Sequence, residues 1–124
     1  MTPSKKHSPI GIFDSGVGGL SILKAITKEL PGERVIYIAD QQHVPYGLRP
    51  LSEVRSFAVA ITRFLLAKGA KIIVVACNAA SAAALQHLRS VFPETRFIGM
   101  EPAVKPAAEN STNKTIAILA TPAT

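Results

Sequence analysis

Apolar residues form two alternating patterns along this chain. Short runs rich in branched apolar residues, which are typical of buried strands, occupy residues 10–13, 35–39, 71–76, 96–100 and 115–120. Segments with apolar residues at helical spacing lie between them, at residues 20–30, 52–68 and 78–91. The 71–76 run (KIIVVA) is apolar on both faces, as expected of a central parallel strand.

Residues that start or stop helices lie at the edges of these segments. Pro31 and Gly32 end the first predicted helix. Ser52 is a candidate N-cap for the second, and Gly69 is its predicted stop. Predicted loops occupy residues 40–50 and 101–109, the latter with a short helix.

Regular alternation of strand and helix predicts the α/β class. The expected fold is a parallel sheet of about five strands with helices on both faces, a three-layer sandwich. Residues 1–8 are expected to form a disordered tail, and residues 9–124 a single α/β domain. The last predicted strand ends close to residue 124, where this architecture normally adds a helix. We therefore expect a truncated or split protein.

The composition is that of a folded protein with a free thiol. Of the 124 residues, 48% are hydrophobic and 18% are charged, which suits one compact core. The single cysteine excludes an internal disulfide, which fits a reducing compartment. Membrane-spanning and signal-peptide patterns are missing, so the expectation is a cytoplasmic protein without a membrane partner.

The formal net charge of +6 raises the question of an anionic partner. The basic residues are scattered, however, and Lys5 and Lys6 lie in the N-terminal tail. No basic stripe is interleaved with aromatic residues. The favoured interpretation is therefore a solvated basic surface and no nucleic-acid partner.

Polar or conformationally special residues follow every predicted strand. Parallel strands of an open sheet end at one edge, and ligands bind beyond that edge. The sequence therefore predicts a site there, built from residues 14–19, 40–47, 77–78, 101–102 and 121–124.

Cys77 ends the most apolar strand and precedes a helix, and it has two interpretations. The N-terminus of a helix offers a positive dipole end and free amides that stabilise a thiolate, which favours a catalytic acid/base thiol. A single cysteine is also commonly a buried core residue. Position alone leaves both open.

Asp14 and the glycines that follow it are equally ambiguous. The carboxylate could relay a proton or orient Cys77, or it could cap the next helix. The glycines in 16–19 could bind an anion or only permit a tight turn. With Asp40 they also resemble a dinucleotide fingerprint, although Ser21 replaces its third glycine. The Gly-Lys-Ser/Thr of a phosphate-binding P-loop is absent.

The tripeptide 45–47 (PYG) is a rigid turning loop with one aromatic ring. Tyr46 could close over a small ligand, or the segment could be a plain surface turn. His43 could be a general base, although a single loop histidine is more often merely exposed. Because His43, Cys77 and His87 show no recognised ligand spacing, no metal site is expected.

Together these motifs resemble those of glutamate racemases in order and spacing. The resemblance covers residues 9–124, and DSGVGGL with PYG is more similar to the glutamate enzymes than to aspartate or hydantoin racemases. The matching segments are IFDSGVGGL (12–20), Asp40 with VPYG (44–47), ACN (76–78), EPAVKPA (101–107) and AT (120–121).

The resemblance implies a racemase or flavodoxin-like sandwich and cofactor-independent interconversion of L- and D-glutamate, the latter for peptidoglycan synthesis. Family members have two similar domains, each with one catalytic cysteine. By this match Cys77 is the first thiol and Asp14 is a second catalytic residue. The implied substrate-binding residues are Asp14, Ser15, Tyr46, Gly47, Asn78, Ala79 and Thr121.

Two features depart from the family pattern. The family usually has Cys-Asn-Thr-Ala-Ser where residues 77–81 are Cys-Asn-Ala-Ala-Ser, so Ala79 keeps an amide but lacks a hydroxyl. The second domain, with its cysteine and adjacent histidine, is absent. The implied partners are therefore glutamate, the missing domain and, as an open expectation, a second copy in a homodimer.

Three other functions stay open. The chain could belong to a related aspartate or hydantoin racemase. The chain could be a racemase-like half that binds an acidic amino acid without turnover. It could also be a Rossmann-type nucleotide binder, which would respond to nucleotides rather than to glutamate.

Overall fold

Strands and helices alternate along the chain in the order that the hydrophobic pattern predicts, which confirms the α/β class. The computed structural model describes residues 7–122 and 124, so most of the predicted disordered tail lies outside the described residues. The elements are β1 (Ile10–Asp14), α1 (Leu20–Glu29), β2 (Val35–Ala39), a 3₁₀ turn (Tyr46–Leu48), α2 (Leu51–Ala67), β3 (Ile72–Val75), α3 (Asn78–Val91), β4 (Phe97–Gly99) and α4 (Val104–Asn110).

All strand pairs in the sheet are parallel, and the strand order is β2-β1-β3-β4. Ile12 of β1 lies opposite Tyr37 of β2 on one side and Val74 of β3 on the other. The chain therefore moves outward from β1 to β2 and then returns past β1 to β3. Ligand sites of open α/β sheets form at such a reversal, between the carboxyl ends of the two central strands.

Helices cover both faces of the sheet, as predicted. On one face, Ile12 and Val74 pack against Ile22 and Ile26 of α1. On the other face, a larger core cluster packs the sheet against α2 and α3, and burial of each large apolar side chain contributes about 1.5–3 kcal/mol. Its fully buried members include Phe13, Val54, Ala58, Leu65, Ile73, Val75, Ala80 and Leu88.

Of the two residues predicted to bound α2, one is confirmed and one is wrong. Gly69 has a φ of 82°, so the left-handed stop after this helix is confirmed. The Ser52 N-cap is wrong, because Pro50 occupies the cap and its carbonyl accepts the amides of Glu53 and Val54. Proline is tolerated there because a helix start needs no intrahelical donor. No described helix is long and apolar enough to cross a membrane.

The predicted strand at residues 115–120 is wrong. Within the described residues the sheet ends at β4, and the segment runs outside it without ladder pairing. Ile118 is 59% exposed and Leu119 is fully exposed. A branched apolar run has a preference for extended backbone, but it becomes a strand only when a neighbouring edge accepts its hydrogen bonds.

Candidate active site

A cleft of about 630 Å³ opens at the carboxyl edge of the sheet, beside the reversal between β1 and β3. Its wall combines the end of β1, the loop before α2, the start of α3 and the segment that follows residue 117. All the predicted site residues except Asp14 lie in this wall: Ser15, Tyr46, Gly47, Cys77, Asn78, Ala79 and Thr121.

Cys77 occupies the N-cap of α3, at the point where β3 turns into the helix. Its Sγ accepts a hydrogen bond from the Ala80 amide at 3.3 Å, and its thiol donates to Ser15 Oγ at 3.6 Å. The residue is 8% exposed and belongs to the larger core cluster while also lining the cleft. The sulfur is therefore largely buried, and it lies in the cleft wall between a backbone amide of α3 and the Ser15 hydroxyl.

The first turn of α3 adds backbone donors beside the thiol. Asn78 and Ala79 are the first two residues of α3, and they come before Ser81, whose amide makes the first bond of the helix, to the Cys77 carbonyl. Asn78 is exposed, whereas Ala79 is buried in the wall. Amides of the first turn, which have no acceptor within their own helix, are suited to hold a carboxylate.

Asp14 lines a second, smaller cavity of about 280 Å³, which Cys77 and Asn78 also line. Its Oδ2 accepts the amides of Gly16 at 3.3 Å and Gly19 at 2.9 Å, and Gly19 is the N-cap of α1. The carboxylate therefore caps the turn and the helix. Because it occupies the amides that a pyrophosphate would need, the turn does not fit a dinucleotide site.

Tyr37 is a residue of this region that the sequence analysis missed. Its hydroxyl donates to the Gly16 carbonyl at 3.2 Å, so the turn after β1 is held by Tyr37 as well as by Asp14. Burial raises the pKa of Tyr37, and the charges of Asp14 and Cys77 add to the shift. The sequence feature that could have identified Tyr37 is a hydroxyl-bearing ring in an otherwise aliphatic strand.

The loop before α2 forms the wall opposite α3. Tyr46 is 1% exposed and donates its hydroxyl to Asp40 Oδ2 at 2.5 Å. Burial raises the pKa of Tyr46, and the bond to Asp40 raises it further, so the phenol stays a donor. His43 is not exposed, as a single loop histidine often is. It is partly buried, and its Nδ1 lies 2.8 Å from Asp40 Oδ1.

Gly47 and Thr121 meet directly across this wall. A Cβ built on Gly47 would lie 2.5 Å from the Cβ of Thr121, so only glycine permits the approach. The contact brings Thr121, from the segment after residue 117, into the same wall as Tyr46.

The described residues contain no group of three or more His, Cys, Asp or Glu side chains that could hold a metal ion.

Several glutamate racemases are similar to this chain in sequence. The chain matches no protein-family model. It is 53% identical over 116 residues to a glutamate racemase of Roseiflexus sp. (strain RS-1), covering 94% of this chain and 43% of that protein. It is 49% identical over 121 residues to a glutamate racemase of Ectopseudomonas mendocina (strain ymp), covering 98% and 46%.

Solved structures give the same result. The glutamate racemase from Thermus thermophilus superposes with a TM-score of 0.75 at 50% identity, over 82% of this chain and 40% of that one. The Escherichia coli enzyme gives a TM-score of 0.78 at 38% identity, over 86% and 40%. The chain spans less than half the length of these relatives. In sequence and in fold, it belongs to the glutamate racemase family.

Proposed function

We propose that this chain supplies one half of the active site of a cofactor-independent glutamate racemase. The observation that carries the proposal is the Cys77 thiol, held at a helix N-terminus by an amide and a serine, in the wall of an open cleft. Two solved relatives support glutamate as the substrate: the Francisella tularensis enzyme was solved with D-glutamate, and the Escherichia coli enzyme with L-glutamate.

Inversion of a stereocentre by proton transfer needs a base on one face of the α-carbon and an acid on the other. In the proposed reaction the Cys77 thiolate removes the α-proton of one enantiomer, and the C–H electron pair stays on carbon. A second thiol then donates its proton to the opposite face. For the other enantiomer the two thiols exchange roles.

The α-proton is weakly acidic, so the site must stabilise the negative charge that develops on the substrate. We assign this to the free amides of Asn78 and Ala79, with the wall residues Ser15, Tyr46, Gly47 and Thr121 orienting the substrate. Asp14 is the candidate for a proton relay, from the smaller cavity on which Cys77 also borders.

The second thiol must come from outside these 124 residues, since Cys77 is the only cysteine in the sequence. We propose a second α/β domain that closes over the cleft and carries it. The D-glutamate produced would serve peptidoglycan synthesis in the cytoplasm.

A Cys77→Ser substitution in the full-length protein tests the assignment. Loss of the proton-transferring thiol should reduce racemisation by at least about 10²-fold, because a hydroxyl is a far weaker acid. Circular dichroism at a wavelength where L- and D-glutamate differ follows the reaction, and the far-ultraviolet spectrum checks the fold.

The matched control is Ser90→Ala, on the exposed side of α3, which should racemise normally. Near-normal turnover by the Cys77→Ser variant would remove Cys77 from the mechanism. Glutamate binding without turnover by the unchanged full-length protein would indicate a binding module instead.

A further inference from the structure

Behind the Tyr46–Gly47 wall of the cleft, one carboxylate joins two side chains of the same loop. Tyr46 donates its hydroxyl to Asp40 Oδ2 at 2.5 Å. His43 Nδ1 donates to the same carboxylate, at 2.8 Å from Oδ1 and 2.9 Å from Oδ2. Hydrogen bonds to a charged acceptor in a largely buried position are about twice as strong as neutral ones.

The backbone that carries this carboxylate is fixed to the sheet. The Asp40 amide donates to the Asp14 carbonyl at 2.9 Å, at the carboxyl end of β1, and the Asp40 side chain is only 12% exposed. The position of Asp40 is therefore set by the edge of the sheet rather than by the loop.

His43 is fixed to α2 by contacts that do not involve Asp40. Its ring stacks on Phe57, with centroids 3.9 Å apart and planes 15° from parallel. Arg49 donates from Nε to the His43 carbonyl at 2.6 Å and pairs with Glu53 of α2 at 3.0 Å. His43 thus joins a sheet-anchored carboxylate to a helix-anchored ring.

The cleft wall depends on this connection, whereas the thiol does not. Tyr46 donates its hydroxyl to Asp40, and the neighbouring Gly47 lies directly against Thr121. Cys77 is held by Ser15 and by the first turn of α3 instead. A change in His43 should therefore move the binding wall and leave the proton-transferring group in place.

We propose that His43 is a positioning residue: through Asp40 it holds the Tyr46–Gly47 wall in the geometry that binds the substrate. The inference rests on the proposed racemase function. Contacts made by this wall act on substrate and transition state alike, so their loss raises KM more than it lowers kcat.

Two substitutions separate the hydrogen bond of His43 from its stacking. His43→Phe keeps a ring on Phe57 but removes the donor, while His43→Asn keeps a donor near the Nδ1 position and removes the ring. In the full-length enzyme, His43→Phe should raise KM for glutamate about tenfold, with kcat within about twofold of the unchanged enzyme. His43→Asn should restore KM to within about threefold.

The matched control is His87→Phe, an exposed histidine of α3 outside the cleft, which should leave both constants unchanged. The proposal is overturned if His43→Phe leaves KM unchanged, if it lowers kcat alone, or if His43→Asn is equally impaired in a folded protein.

A second measurement separates this inference from the proposed function. If the unchanged protein neither binds nor racemises glutamate, the proposed function fails, and hydrogen exchange then decides the role of His43. The Arg49 amide, which donates to the Tyr46 carbonyl at 3.0 Å, should exchange at least about fivefold faster in the His43→Phe chain than in the unchanged chain. Equal exchange rates would overturn the positioning role.

Discussion

At the scale of single residues, the environment of Cys77 combines a local contact with a distant one. The amide of Ala80 reaches Sγ from three residues along the chain, and Ser15 reaches it from 62 residues away. The strand-to-helix pattern around Cys77 predicts the first contact. The second exists only because the strand order sets β1 beside β3.

The contacts of His43 likewise could not be predicted from the sequence. Asp40, His43 and Tyr46 stand three residues apart, and that spacing is visible in the sequence. In a helix it would place the side chains on neighbouring faces, but a loop has no fixed periodicity. His43 and Tyr46 both reach the Asp40 carboxylate because of the path that the loop takes over Phe57.

Ala79 leads to a prediction at this scale. Ala79→Thr in the full-length enzyme should supply the hydroxyl that the family motif usually has, next to a free amide in the cleft wall. A hydrogen bond to a charged substrate group contributes about 1.5–3 kcal/mol, so KM for glutamate should fall about tenfold or more.

Steady-state kinetics measure the effect, with Ala79→Val as the control of equal volume without a hydroxyl. If the two variants bind glutamate equally well, the hydroxyl is not a substrate contact.

At the scale of elements, the sequence pattern and the structure differ at residues 115–120, which are predicted as a strand but lie outside the sheet. The run is branched and apolar, but the described sheet ends at β4, a strand of three residues. Residues 118–121 instead line the cleft, and Leu119 is fully exposed. Preference for extended backbone is local, whereas pairing depends on which edge the chain reaches.

Leu119→Lys tests this placement. An exposed side chain contributes little to folding, so the free energy of unfolding of the 124-residue chain should change by less than about 0.5 kcal/mol in urea titration. Leu88→Ala, in the buried core, should cost about 2–5 kcal/mol in the same experiment. A loss of about 2 kcal/mol or more for Leu119→Lys would indicate that the segment is packed as a strand.

At the scale of the whole molecule, one layer of site residues lines an open cleft. Seven predicted site residues gather there, and the only cysteine is among them. The chain spans less than half the length of its racemase relatives. A two-thiol reaction therefore needs a partner surface that these 124 residues do not contain.

The 124-residue chain alone should accordingly show no conversion of L-glutamate to D-glutamate above the buffer rate. Circular dichroism over the course of the incubation detects conversion, with the full-length protein as the positive control under identical conditions. Clear turnover by the isolated chain would refute the two-thiol account.

The amino-acid sequence by itself determined the α/β class, the order of the helices and four strands, and the positions of the site motifs. Those features depend on hydrophobic period and on residues that start or stop elements, which act over a few positions. The tertiary structure decided that Asp14 caps a turn beside a second cavity, that Asp40 joins His43 to Tyr46, and that residues 115–120 stay outside the sheet. Each depends on contacts between segments whose relative placement is set by strand order and helix packing, which no local pattern encodes.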